Sequence, residues 1–278
     1  MVRDMHNADR TSFDPATSFA RTRHDRALLF LALSTLLVAP QIARAKGIWQ
    51  APGLMHFPAS FIGFTPDSRF AVMERNKICE EGSGWTRTQI TLVDVARNAW
   101  VGEPIWLVDK TERGCVEANG KKILADLRAK AQLEVLKRVR KAAPGAELVP
   151  TTALKLTYTN RSVSKYPPEG QPDEAMFEVA GTRYRLVLTQ WPATDRKHSE
   201  DEDPPFVRFA LTLANESTGK QVLLQKDDES PKSRGDPYAY AIQSVHVRTG
   251  HIAVLIEYVL PGFEGYETAT LLVTGPLP

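Results

Sequence analysis

The chain has 278 residues, of which 42% are hydrophobic and 24% are charged, and its formal net charge is +2. The first 45 residues hold six arginines and four aspartates, so residues 46–278 carry 29 basic and 29 acidic side chains and no formal net charge. This balance removes the case for global electrostatic attraction to nucleic acid, and no nucleic-acid partner is predicted.

The N-terminal segment has the pattern of a secretory signal peptide. Ala27–Pro40 is an uncharged run of 14 residues that follows three arginines, and the small residues of an Ala-Arg-Ala site come at 43–45. A membrane span needs about 20 apolar residues, and this run ends before that length. We therefore expect residues 1–45 to be a signal peptide with a long polar n-region. Residues 46–278 are then a single periplasmic or secreted domain.

The chain has two cysteines, Cys79 and Cys115. Export would place them in an oxidising compartment, where they are expected to form a disulfide that closes the intervening loop. The alternative is a pair of free thiols. Two cysteines without close histidine partners do not match a zinc site, so neither a metal nor another cofactor is predicted.

Most of the remaining chain is predicted to be antiparallel β. Short runs rich in β-branched and aromatic residues are bounded by Gly, Pro, Asn or Asp, and the first two flank a turn at Thr65–Ser68. The runs are Phe61–Phe64, Phe70–Glu74, Gln89–Val95, Trp100–Val108, Tyr184–Trp191, Val207–Leu213, Gln221–Gln225, Tyr240–Val247, Ile252–Val259 and Thr270–Thr274.

One segment, about residues 116–143, is predicted to be a long amphipathic helix. Leu124, Leu127, Ala131, Val135 and Val139 recur at steps of three and four and form one apolar stripe. The following Pro-Gly pair ends the helix. Its many basic side chains either face water or contact anionic lipid headgroups or an acidic partner, and lipid contact would make the protein a peripheral membrane binder.

Three pairs of predicted strands share one style, in which a long strand, a connector and a return strand follow each other. Phe70–Glu74 is followed by Gly82–Trp85 and a return strand, and Ile252–Val259 is followed by the glycine–aromatic connector at 261–267. In the third pair, Tyr184–Trp191 is followed by the acidic connector Ser199–Asp203 and the strand Val207–Leu213. The fold class is therefore mainly antiparallel β, built as a sandwich or as propeller-like hairpin units, with one long helix. A true internal repeat and a chance likeness both remain open.

Several motifs resemble a known bacterial family. The residues are Gly63–Phe70, the connector Gly82–Trp85, Val93–Trp100 with the basic helix after it, and the ending Pro261–Gly265. Together they are similar to a family of predicted secreted proteins without known function. The resemblance implies export and a single domain, and it carries no catalytic residues. The F-T-P-D-S-R-F stretch also loosely resembles a blade-opening turn of periplasmic propeller proteins.

The two connectors are the predicted binding surface, because loops on a rigid scaffold often carry function. The candidate binding residues are Trp85, Phe263, Glu264, Tyr266 and Glu267. The leading function is a non-catalytic binding module at the cell envelope with an unknown ligand or protein partner.

The alternative function is an envelope hydrolase that uses carboxylates of these loops, drawn from Glu74, Glu264 and Glu267. Carboxylates scattered on different faces would argue against a hydrolase, whereas two that meet across a deep pocket would favour it.

Overall fold

Fourteen strands and one long helix make up the part of the chain that the structure describes. The computed structural model describes residues 55–56, 59–80, 82–158, 172–194, 206–227, 235–262 and 265–278. All of them belong to one compact unit, Ala39–Pro278. The predicted signal peptide lies outside the described residues.

The strands form three sheets. Sheet 1 contains β2 (Ala59–Phe64), β3 (Phe70–Lys77), β4 (Thr86–Asp94), β5 (Ala99–Trp100) and β6 (Ile105–Asp109). Sheet 2 contains β7 (Thr157–Tyr158), β8 (Asp173–Val179), β9 (Thr182–Pro192), β10 (Val207–Asn215) and β11 (Gln221–Lys226). Sheet 3 contains β1 (Met55–His56), β12 (Ala239–Arg248), β13 (His251–Gly262) and β14 (Gly265–Pro276).

Sheet 1 begins with the predicted turn. The Thr65 hydroxyl donates to Asp67 Oδ1 at 2.6 Å and accepts the Phe70 amide at 3.0 Å, so the side chains hold the chain reversal between β2 and β3. The prediction of one strand over Trp100–Val108 is wrong. Gly102, at φ +71°, and Pro104 divide the segment into β5 and β6, which pair in succession with β4.

The predicted helix is observed as α1 (Glu117–Ala142), and a 3-10 turn at Glu112–Cys115 precedes it. Ala131, Val135 and Val139 of the predicted stripe are buried. The predicted disulfide is confirmed, because Cys79 and Cys115 are bonded and connect the end of β3 to the start of the helix.

All strand pairs except one are antiparallel among the described residues, as expected. β3 pairs with β4, β9 with β10, and β13 with β14, so the three predicted hairpins exist. Each belongs to a different sheet. β1 is the exception and runs parallel to β14. β8, which had not been predicted, pairs with β9.

The sheets stack face to face, with sheet 3 in the middle. One face of sheet 3 packs on sheet 2 through a core that includes Tyr240, Val254, Leu186 and Phe209. Its other face packs on sheet 1 through Ala253, Leu255, Met73 and Val93. The outer face of sheet 1 is covered by α1 through Val72, Ile90, Leu92 and the buried helix stripe. The predicted mainly antiparallel β fold with one long helix is confirmed, and of the two predicted arrangements the sheets adopt the stacked sandwich.

Candidate functional site

A cleft of about 480 Å³ opens where the inner face of sheet 1 extends past the apolar contact with sheet 3. Sheet 1 supplies basic, amide and tryptophan side chains to its lining, and β13 and β14 of sheet 3 supply the opposite wall, including Tyr258 and Glu267. Aromatic walls with a few polar groups are the usual composition of a binding pocket.

The register of sheet 1 explains why these side chains meet. Residues of β3 alternate between the two faces, so Arg75 and Lys77 follow Met73 on the inner face. Across the ladder, Arg75 is opposite Gln89. Gln89 is in turn opposite Trp106 of β6. Directly opposite residues share a face. The basic row, which consists of Arg75 and Lys77 of β3 and Arg87 of β4, therefore lies on the same face of sheet 1 as Trp100 and Trp106.

Two tryptophans of the cleft are strongly exposed, Trp100 by 48% and Trp106 by 51%. Trp100 is opposite Val93 and Trp106 is opposite Gln89, four positions apart on β4. At about 3.4 Å per residue, the β4 partners of these two tryptophans are offset by roughly 14 Å along the strand. This span suits an extended ligand better than a single small molecule.

The cleft has an uneven distribution of ion pairs. Arg87 bonds Glu80 at 2.6 Å, and its guanidinium carbon lies 5.6 Å from the centre of the Trp106 ring. Arg75 differs from Arg87 in having no such partner. Among the residues that the structure describes, its side chain makes no hydrogen bond and no ion pair, and its Nε is buried. Leaving a buried donor unsatisfied costs about 1–3 kcal/mol.

Glu267 is half-buried on the opposite wall. Burial raises the pKa of its carboxyl above the ordinary value, although Arg87, Lys77 and Arg75 act in the opposite direction. Glu80 adds to the increase in this pKa. The carboxyl therefore holds its proton to a higher pH than an exposed glutamate, and in the protonated form it both donates and accepts hydrogen bonds.

Of the five predicted binding residues, the structure places one, Glu267, in the cleft. Glu267 lines the cleft, close enough to Glu80 and Arg87 for electrostatic interaction. Trp85 lies beside Lys110, whose Nζ is 4.9 Å from the ring centre, and it does not belong to the cleft lining. Tyr266 is a strand residue opposite Pro261, and nothing is described of its side chain. Phe263 and Glu264 lie outside the described residues.

Sequence reasoning missed the two cleft tryptophans and the basic row. A signal for the tryptophans existed, because residues 100 and 106 have the same parity and would share one face of a single strand. The Gly102–Pro104 interruption was hidden inside that predicted strand, yet it preserves the shared face. The basic row gave no such signal, since alternating charges on a strand usually indicate a solvated face.

The carboxylates of the hydrolase hypothesis do not form one group. Glu74 is buried on the outer face of sheet 1, where Arg128 of α1 bonds both of its oxygens. Glu267 lies on the other side of that sheet, so these two carboxylates cannot act on one substrate. Glu103 is the carboxylate that shares the cleft lining with Glu267.

No group of three or more His, Cys, Asp or Glu side chains suited to a metal ion occurs within the described ranges. His246 is buried next to Phe61, with its ring centre 4.4 Å away, and Nδ1 lies 3.3 Å from the Thr151 carbonyl oxygen. Burial lowers the pKa of this imidazole.

Among the described residues, neither α1 nor any other helix is long and apolar enough to cross a membrane.

Comparison with known proteins supplies one family. A model described as "Predicted secreted protein (DUF2259)" matches residues 76–275. The chain belongs to this family. The resemblance inferred from the motifs is thereby confirmed, and the family description supports secretion. The matched range contains both connectors and every sheet 1 residue of the cleft lining except Arg75. Neither a curated protein nor a solved structure matches the chain.

Proposed function

We propose that this member of the secreted family is a non-catalytic binding module of the cell envelope. It works in the periplasm or outside the cell and holds an extended ligand in the cleft between sheets 1 and 3. The observation that carries the proposal is the pair of half-exposed tryptophans, Trp100 and Trp106, on one rigid sheet face. Large aromatic side chains in a lined cleft are the usual anchors of binding sites.

The surroundings of the tryptophans support recognition of a polar ligand. Arg75, Arg87 and Gln89 provide planar hydrogen-bonding groups beside the rings. These residues belong to two paired strands, so their spacing is fixed by the backbone ladder. A site built on strands keeps its geometry before binding, which reduces the entropy lost on association.

The test is a thermal-shift screen of the oxidised protein against glycans, peptides and lipid headgroups, since selective binding raises apparent stability. For each hit, affinity is measured for Trp100→Ala and Trp106→Ala. Each substitution should weaken binding roughly tenfold or more. Trp85→Ala is the matched control, because Trp85 is a partly exposed tryptophan outside the cleft. Ligands whose affinity is unchanged by both Trp100→Ala and Trp106→Ala would contradict the proposal.

A second candidate function is hydrolysis in the same cleft, and the raised pKa of Glu267 favours it. A general acid needs a proton near neutral pH, and Glu103 is the other carboxylate of the lining. Mass spectrometry of any bound oligomer after incubation distinguishes the two functions. Cleavage products that disappear in Glu267→Gln would establish the hydrolase, whereas an intact oligomer supports the binding module.

A further inference from the structure

Arg75 indicates what charge the cleft is built to receive. Arg87 is balanced by Glu80 at 2.6 Å, whereas Arg75 has no ion-pair partner among the described residues. Lys77 stands two positions further along the same face of β3. A guanidinium presents a planar fork of donors that matches the two oxygens of a carboxylate. The basic row therefore favours an acidic group on the ligand.

The tryptophans indicate what carries that group. Both side chains are about half-exposed on the sheet face, and their partners on β4 are offset by roughly 14 Å along the strand. Sugar rings combine an apolar C–H face, which stacks on an aromatic ring, with a rim of hydroxyls. Gln89 lies in the same lining, and its amide can donate to and accept from hydroxyls.

A peptide fits this arrangement less well. Extended peptides are usually held by adding a strand to a sheet edge, through main-chain hydrogen bonds. In this cleft the aromatic and basic side chains stand on the face of sheet 1. Side chains on a sheet face can contact the rings and substituents of a ligand, but they leave the main-chain hydrogen-bonding groups of a peptide unpaired.

From these observations we infer that the cleft binds a carboxylated glycan, with uronic acid rings stacked on Trp100 and Trp106 and a carboxylate held by Arg75. The inference rests on the proposed function and specifies its ligand class. A hydroxyl of the glycan bonds the amide of Gln89. Glu267 bonds a hydroxyl from the opposite wall.

The experiment measures binding of the oxidised protein to trimers of galacturonate, glucuronate and mannuronate by isothermal titration calorimetry. Each trimer is compared with its methyl ester, which keeps the rings and removes the charge. A triglutamate peptide keeps the charge and removes the rings. At least one uronate trimer should bind at least about tenfold more tightly than its ester and the peptide.

Variants assign the carboxylate contact. Arg75→Gln should reduce binding of the uronate trimer about tenfold and leave the weak binding of its ester unchanged. Arg75→Lys, which keeps the charge without the fork, should fall between the two. Arg97→Gln is the control, because Arg97 is exposed and outside the cleft. Circular dichroism of each variant verifies that it is folded.

The outcomes separate this inference from the proposed function. Equal binding of acid and ester, equal binding of the peptide, or absence of binding by all three uronates overturns the glycan inference. The binding-module proposal survives each of these results if another ligand depends on Trp100 and Trp106. It fails if no ligand of the broader screen depends on either tryptophan.

Discussion

The buried ion pair between Glu74 and Arg128 provides the sharpest test of how α1 is attached to sheet 1. The Glu74 side chain is 1% exposed and that of Arg128 is 43% exposed. Arg128 Nε donates to Glu74 Oε2 at 3.1 Å, and a second guanidinium nitrogen bonds Oε1. Removing one partner of a buried pair costs about 3–5 kcal/mol. Since water reaches Arg128, we expect Arg128→Met to cost about 3 kcal/mol, the lower end of that range.

The double variant Glu74→Leu/Arg128→Met removes the uncompensated charge, so it should recover most of the loss. The assay is urea unfolding of the oxidised protein at pH 7, followed by far-ultraviolet circular dichroism. Glu117→Gln is the control, because Glu117 and Lys121 form an exposed pair and its loss should change stability by less than about 0.5 kcal/mol. A cost below about 1 kcal/mol for Arg128→Met would refute the reasoning, since that is the value of a surface pair.

Three further predictions concern stability. Replacing Cys79 and Cys115 with alanine opens a loop of 36 residues and should lower the free energy of unfolding, measured in urea, by about 3–4 kcal/mol. An unchanged free energy of unfolding would contradict this prediction. The folded pKa of His246 is lowered, so the unfolded chain takes up the proton first, and stability should fall as pH decreases from 7 through about 6.5. His246→Phe should flatten that slope between pH 7 and 5.5, and an identical slope would exclude His246 as the cause. Gly120→Ala should destabilise the protein despite a helix-propensity gain of about 1 kcal/mol, because the new Cβ collides with the Gly114 carbonyl oxygen; a higher melting temperature would show that the contact relaxes.

The sequence predicted much of the architecture, because local pattern and local structure agree along most of the chain. The stripe at Ala131, Val135 and Val139 is the buried face of α1, and the turn after Phe64 has the residues that a tight reversal needs. The stacking order of the sheets was beyond sequence reasoning, because every strand has an apolar face and no local signal states which sheet covers it. β8 was missed, since its alternating Ala175 and Phe177 stand among charged residues.

The candidate site was predicted only in part. Glu267 was selected from its connector, and it does line the cleft. Trp85, from the other connector, lies outside the lining. The basic row depends on the pairing of β3 with β4 and on where sheet 3 ends, both of which involve residues far apart in the chain. Long-range register is the information that a local pattern does not contain.

The most direct test of the central claim is fluorine NMR of the oxidised protein labelled with 5-fluorotryptophan, with resonances assigned by single Trp→Phe variants. The chain has five tryptophans, so each provides a separate reporter. On titration with the uronate trimers we predict that the Trp100 and Trp106 resonances shift together and saturate, while Trp85 stays in place. A ligand that binds the protein and leaves both cleft resonances unmoved would contradict the account.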